Sequence, residues 1–238
     1  MPYDQTTAEI SVDVWFWDNA DLVAQADTLV RVLSDDEIAR QHRQCDPDRA
    51  LRWAISRARV REHLASVTGV AAADLVFERN GYGQLSLANV QCPSLCFSIS
   101  HSGPFTALAV SLSTAVGVDI EAVQDLAPEE MEWPLSPTER ADLAIVRGDD
   151  RAQAFFRYWT LKEAFIKALG MGVSFPLDDF DMNPFGEKPA LLRVAGTSDT
   201  PADWAFEAHE LRPGLRFALA VKAKGEKFTL NHRSEFAN

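Results

Sequence analysis

The sequence predicts an α+β fold of two similar halves, each a helix packed on a small, mostly antiparallel sheet. Three observations carry this. Short apolar runs that alternate with polar residues recur along the 238 residues. Two long stretches have helical spacing, one ending at His63-Leu64 and one at Ala168-Leu169. Short patterns also repeat about half a chain apart. Arg52-Trp53 opens the first helical run and Tyr158-Trp159 the second; Ala107-Leu108-Ala109-Val110 recurs as Ala218-Leu219-Ala220-Val221. Between them, Gly83-Gln84-Leu85 sits where Lys188-Pro189-Ala190 sits later. The boundary falls near Ser113 to Gly117, giving halves 1–115 and 116–238.

In chain order, Ile10 to Trp17 alternates and reads as a strand. A short helix is expected over Ala20 to Leu33. Ser34, with Glu37 three residues on, has the pattern of a capping box. Asp48 or its neighbour opens a longer helix through Ala65, with Leu51, Ile55, Val60 and Leu64 on one face. Leu75 to Phe77 and Leu85 to Leu87 are strand-like around the turn Asn80-Gly81-Tyr82-Gly83. Leu95 to Ile99 and Thr106 to Leu112 read as strands flanking a Ser100 to Pro104 loop. Glu121 to Pro137 is a connection rich in proline and acid, and Pro137 starts another helix. The Trp159 helix follows and ends at Gly170. Phe180 to Met182, Leu191 to Val194, Trp204 to His209 and Arg216 to Val221 read as strands, with a mobile basic tail after Lys222.

Composition narrows the function. A hydrophobic share of 47% can bury a substantial core. No apolar run is long enough to span a bilayer, so no membrane role is expected. Met1-Pro2-Tyr3-Asp4 shows no basic segment followed by an apolar stretch, so no signal peptide is expected. The three cysteines, Cys45, Cys92 and Cys96, lack metal-type spacing and fit reduced thiols in a cytoplasm. A net charge of −12 argues against general nucleic-acid binding. Arg40 to Arg61 nevertheless gathers Arg40, Arg43, Arg49, Arg52, Arg57, Arg59 and Arg61. Solvated helix charges account for most of these, yet a cationic face on an acidic chain suggests one specific anionic ligand.

Two stretches carry the chemistry. In Val118-Asp119-Ile120-Glu121 the strand period aims both carboxylates at one place and the two apolar residues towards the core. Such a pair is either a solvated strand end or a seat for a hard cation. Glu163 and Lys167 are four apart on one helix face: an ordinary ion pair, or a third ligand beside a phosphate grip.

Phe97 to Ser102, Gly117 to Glu121, and Trp159 to Gly172 together resemble the 4′-phosphopantetheinyl transferases, in the larger, surfactin-synthetase-type branch. The resemblance extends faintly over nearly the whole chain. It implies a pseudo-dimer with its active site between the halves. It implies transfer of the phosphopantetheine arm of coenzyme A to a serine of an apo acyl or peptidyl carrier protein, with 3′,5′-ADP leaving. Magnesium, or manganese in its place, would be held by Asp119, Glu121 and Glu163. Such carriers serve fatty acid, polyketide, nonribosomal peptide or lysine biosynthesis. A cytoplasmic monomer is expected.

The resemblance also assigns roles. Lys162 and Lys167 become phosphate contacts, with surface lysines as the alternative. Glu163 becomes the base, directly or through a metal-bound water. Ser100 and His101 become coenzyme A contacts; Ser98 stands where the family favours Asn, a change expected to affect strand packing. Arg40 falls on a basic position for the 3′-phosphate, with Arg52 and Arg61 in reserve, while Glu37 occupies another position that is often basic. Gly83-Gln84-Leu85 replaces the family's G-K-P turn and removes a lysine from the nucleotide site. Glu139 matches an acid near the metal, or is a surface helix charge. The loop Gly170 to Phe175 offers Met171 and Phe175 either to a carrier or to the core. Two alternatives stand beside the transferase: a non-catalytic coenzyme A-binding module on the same fold, and another metal-dependent phosphohydrolase.

Overall fold

The computed structural model describes residues 10–148 and 150–236, apart from the side chain of Val173. The expectation concerning Met1 to Asp4 lies outside the described residues. No described helix is long and apolar enough to cross a membrane.

The chain begins with strand β1 (Ile10–Asp18). The helix expected over 20–33 is broken: only α1 (Ala26–Leu29) is α-helical, between two 3-10 turns. Helix α2 (Asp35–His42) starts at Ser34, and both bonds of its capping box are present. Helix α3 (Pro47–Thr68) is capped by Asp46 and ends at Gly69. The hairpin β2 (Phe77–Arg79) and β3 (Leu85–Leu87) follows, then β4 (Cys96–Ser102) and β5 (Phe105–Ser111). Ser100 and His101 therefore lie on a strand, not in a loop. Their alternation continues to Ser102 because Gly103, at φ +57°, and Pro104 alone make the turn.

Strand β6 (Val116–Ala122) leads through α4 (Pro128–Glu132) to α5 (Pro137–Ile145) and α6 (Asp150–Leu169). The hairpin β7 (Phe180–Asn183) and β8 (Ala190–Val194) precedes β9 (Ala205–Arg212) and β10 (Leu215–Val221). The tail is not loose. It forms β11 (Phe228–Ser234), paired in parallel with β1, because β1 would otherwise leave a row of backbone groups open at the sheet edge.

The two main sheets run β11-β1-β5-β4 and β6-β10-β9, and apart from β1 with β11 their pairs are antiparallel. Their faces pack against each other through Val12, Val14 and Phe16 on one side and Val118, Ile120, Phe217 and Leu219 on the other. The outer face of the first sheet, with Trp15, Trp17, Leu108 and Val110, receives α3 through Val60 and Leu64. The outer face of the second, with Ala218 and Ala220, receives α6 through Phe165 and its neighbours. The layers are thus helix, sheet, sheet, helix. Both inner sheets are buried on both faces, which explains their near-continuous apolar runs.

Candidate active site

The site lies where β4 meets β6 and α6 crosses β6. The serines of β4 recur at period two, and each presents a hydroxyl to the backbone of β6. Val118 N–H donates to Ser98 Oγ at 3.1 Å, Ile120 N–H to Ser100 Oγ at 3.3 Å, and Ala122 N–H to Ser102 Oγ at 2.8 Å. Ser100 Oγ in turn donates to Asp119 Oδ1 at 2.7 Å, and Ser102 Oγ to Glu121 Oε2 at 3.0 Å. Serine side chains stand in for a sheet ladder between the two sheets and orient both carboxylates. The substitution of Ser98 for Asn thus falls on this seam.

Helix α6 approaches β6 closely because Gly117 has no side chain. A Cβ there would lie 1.9 Å from the Ala164 carbonyl oxygen. This approach places Lys167 Nζ 2.6 Å from Asp119 Oδ1 and 2.9 Å from Ser100 Oγ. The Trp159 indole N–H donates to Glu121 Oε1 at 3.1 Å. Asp119 Oδ2 is buried without a hydrogen-bond partner among the described residues. Burial raises the Asp119 carboxyl above its ordinary range, against the pull of Lys167 and Ser100. Burial and the Asp119 charge raise Glu121 as well, against donation from Trp159 and Ser102. Glu163 is pushed up to about 7 by burial, then by Asp119 and Glu121, with Lys167 opposing. Asp119, Glu121, Glu163, Lys167 and Ser100 are therefore brought together. Among the described residues, no three such side chains form a ready-made metal cage.

Beside the cluster opens a cavity of about 1060 Å³ whose charged walls, His101 aside, are all cationic: Arg40, Arg49, Arg52, Arg57, Arg79 and Lys167. Gly83, Gln84 and His101 also line it. Residues 49, 52, 53, 56 and 57 recur at helical spacing, so α3 presents one stripe of arginine, Trp53 and Ser56 to the cavity. Arg40 of α2 stacks over Trp53 at 5.1 Å from the ring centre. His101 sits in the wall, crowded by protein but reachable from the open interior. This burial and the charges of Lys167, Arg57 and Arg40 lower its imidazolium to about 4. On the far side of Glu121, Leu126, Trp133, Phe155 and Trp159 line a smaller groove of about 240 Å³.

Several expected residues are elsewhere. Lys162 is fully buried and donates to Glu139 at 2.8 Å and to the carbonyls of Leu177 and Phe180, both at 3.0 Å. One residue along a helix turns the side chain by more than a quarter circle, so Lys162 and Glu163 cannot share a face. Glu139, also buried, caps α5 and accepts from Lys162 and the Met182 N–H; it is not a surface charge. Arg61 is 2% exposed and gives its hydrogens to Glu37, Ala72 O and Leu75 O. Glu37 thereby has a structural reason to be acidic: it accepts from both Arg57 and Arg61. Gln84 lines the cavity but is also engaged with the protein itself. Its Nε2 donates to the Lys167 carbonyl at 3.1 Å, capping α6 from the β2–β3 hairpin, with Asn80 donating to the Gly170 carbonyl. Phe175 belongs to the core with Phe165 and Phe180, while Met171 is half-buried at its edge.

Sequence reasoning missed the anchoring role of Trp159, because an indole reads as apolar. It also missed the Ser98, Ser100, Ser102 period and the spacing of the α3 stripe, signals that were present.

The sequence model of the 4′-phosphopantetheinyl transferase superfamily matches residues 115–222. The 4′-phosphopantetheinyl transferase HetI of Nostoc sp. is 30% identical over 206 residues, covering 85% of this chain and 83% of that protein. A 4′-phosphopantetheinyl transferase of Bacillus subtilis, ffp, is 30% identical over 197 residues, or 83% and 85%. The Bacillus subtilis enzyme Sfp is 29% identical over 149 residues, 63% of this chain and 64% of that one. Among solved structures, a Thermotoga maritima holo-acyl-carrier-protein synthase aligns at 22% identity and TM-score 0.39, covering 49% of this chain and 64% of that one. The chain belongs to the 4′-phosphopantetheinyl transferase superfamily.

Proposed function

We propose that this protein transfers the 4′-phosphopantetheine arm of coenzyme A to a serine of an apo acyl or peptidyl carrier protein, releasing 3′,5′-ADP. One observation carries the reading: a cavity with only cationic charges on its walls is lined by Lys167, which holds Asp119 in a cluster of three perturbed carboxyls. A ligand with an anionic nucleotide end and a diphosphate fits that order. The groove beside Glu121, mainly apolar but with Gln124 and Glu130 in its wall, suits the uncharged arm.

Arg40 and Arg52, with Arg49 and Arg57, would bind the nucleotide phosphates through charge-assisted hydrogen bonds. Lys167 would move its ammonium from Asp119 to a diphosphate oxygen. Asp119, Glu121 and Glu163 would hold magnesium, or manganese in its place. Asp119 Oδ2, without a partner among the described residues, and three carboxyls raised by burial, Glu121 and Glu163 also by neighbouring carboxylates, fit a divalent cation, which would offset both costs. When bound, the cation neutralises charge on the diphosphate. Glu163, poised near neutrality, accepts the proton of the carrier serine hydroxyl as its oxygen attacks phosphorus and the bond to 3′,5′-ADP breaks. Residues 1–115 would supply most of the nucleotide end and 116–238 the carboxylates. The three free cysteines fit a cytoplasmic setting, and one chain provides every part of the site, so a monomer suffices. Intact-mass analysis of an apo carrier with coenzyme A and magnesium tests the reading: the carrier should gain the mass of the arm. No gain with several carrier types refutes it, and coenzyme A binding without any gain would mark a silent binding module.

A further inference from the structure

Behind His101 runs a buried polar chain that the proposed chemistry leaves unused. Trp17, Asn19, Ser56 and Thr106 are each no more than 2% exposed. Its direction can be read from its far end. The Trp17 indole N–H can only donate, and it donates to Asn19 Oδ1 at 2.9 Å. This fixes the Asn19 amide, whose Nδ2 donates to the Pro104 carbonyl at 2.6 Å and to Thr106 Oγ1 at 2.9 Å. Thr106 Oγ1 then donates to Ser56 Oγ at 3.1 Å. In the reverse direction the Thr106 hydroxyl hydrogen would have no acceptor among the described residues. Ser56 Oγ, having accepted from Thr106, has one hydrogen left, and His101 Nε2 lies 2.8 Å away.

The geometry points to Asn19, Thr106 and Ser56 as positioning residues that hold His101 in its Nδ1–H tautomer, so that a neutral imidazole offers an N–H donor to a phosphate oxygen in the cavity. Nδ1 has no hydrogen-bond partner among the described residues, and the ring lines the cavity. A neutral ring also agrees with the crowding of Lys167, Arg57 and Arg40 around it. The role given to the phosphate rests on the nucleotide reading above; the tautomer does not.

The test is a long-range proton–nitrogen correlation spectrum of the full chain, labelled at histidine nitrogen, without ligand at pH 7. His101 should show Nδ1 protonated and Nε2 bare. Ser56→Ala should shift it towards the Nε2–H form and raise KM for coenzyme A roughly tenfold, more than it lowers kcat. Thr106→Ser, which keeps the hydroxyl, should retain the wild-type spectrum. A wild-type His101 found as Nε2–H or as the cation overturns the proposal whether or not the variants fold, as does an unchanged tautomer in Ser56→Ala. Calorimetry of the wild type with 3′,5′-ADP separates the two readings. An Nδ1–H ring in a protein that binds no nucleotide would sustain the relay and overturn the nucleotide site.

Discussion

Gly117→Ala should disable the site from behind. The added Cβ would stand 1.9 Å from the Ala164 carbonyl oxygen, 2.5 Å from the Ala168 nitrogen and 3.0 Å from its Cβ. Restoring an ordinary contact of 3.4 Å requires α6 to retreat from β6 by about 1.5 Å. Glu163 and Lys167 precede those two alanines, so both functional groups move with them. The 2.6 Å bond from Lys167 to Asp119 would open beyond hydrogen-bond range. Overpacking of this kind costs about 1–3 kcal/mol, or a melting point lower by roughly 2–12 °C in a chain of this size. Misplacement by about 1 Å can cost about a hundredfold in rate. Thermal unfolding and the rate of carrier modification, measured below the new melting point, check the two effects separately. The closest contacts are to backbone atoms, so adding Ala168→Gly should recover little of either. A Gly117→Ala protein with wild-type melting and turnover would refute the close approach of α6 and the site built on it.

Four further outcomes are expected. Asp119→Ala, Glu121→Ala and Glu163→Ala should each lower the carrier-modification rate by about two orders of magnitude or more with the circular dichroism preserved, since groups acting on one ligand fail as a unit; near-normal turnover of Asp119→Ala at low magnesium would place the cation elsewhere. Glu163 is held at about 7 against an ordinary 4.5, so between those values the folded chain keeps a proton that the unfolded chain has released. Stability without divalent cation should therefore fall as pH rises through that window, and an equal slope in Glu163→Gln melting curves would exclude Glu163 as its source. Arg40→Ala should raise the coenzyme A requirement about ten- to a hundredfold, and far less with dephospho-coenzyme A; equal losses with both substrates in steady-state assays would remove Arg40 from the 3′-phosphate. Ending the chain at Gly225 removes β11 with its half-buried Phe228, Leu230 and Phe236, which at about 1 kcal/mol each should lower the melting point by roughly 6–12 °C.

Much of this was legible in the residues. Local signals are reliable where one short segment decides the outcome. The Ser34 capping box, the helix start at Pro137, the Gly170 helix end and the period-two runs of β1, β5, β6 and β10 formed as expected. The side-by-side placing of Asp119 and Glu121 follows from strand geometry alone, and the shared helix face of Glu163 and Lys167 from the helical turn, but Lys167 pairs with Asp119. What the sequence could not supply was which face of each element meets another. Lys162 and Lys167 look alike in the chain, but only the packing of α5 and β7 against α6 buries the first on Glu139. Arg61 and Arg52 belong to one helix, and Glu37 from α2 claims only the former. Gln84 reads as a lost phosphate contact until the hairpin is seen to cap α6. The α6 helix begins nine residues before Trp159, and the tail becomes a strand only because β1 presents an open edge. Sequence by itself determined most element types and which acids lie side by side, because both depend on neighbours within a turn or a pleat. Partner choice among equivalent charges was left to the tertiary structure, because it depends on groups 24 to 176 residues apart that only packing brings within a hydrogen bond.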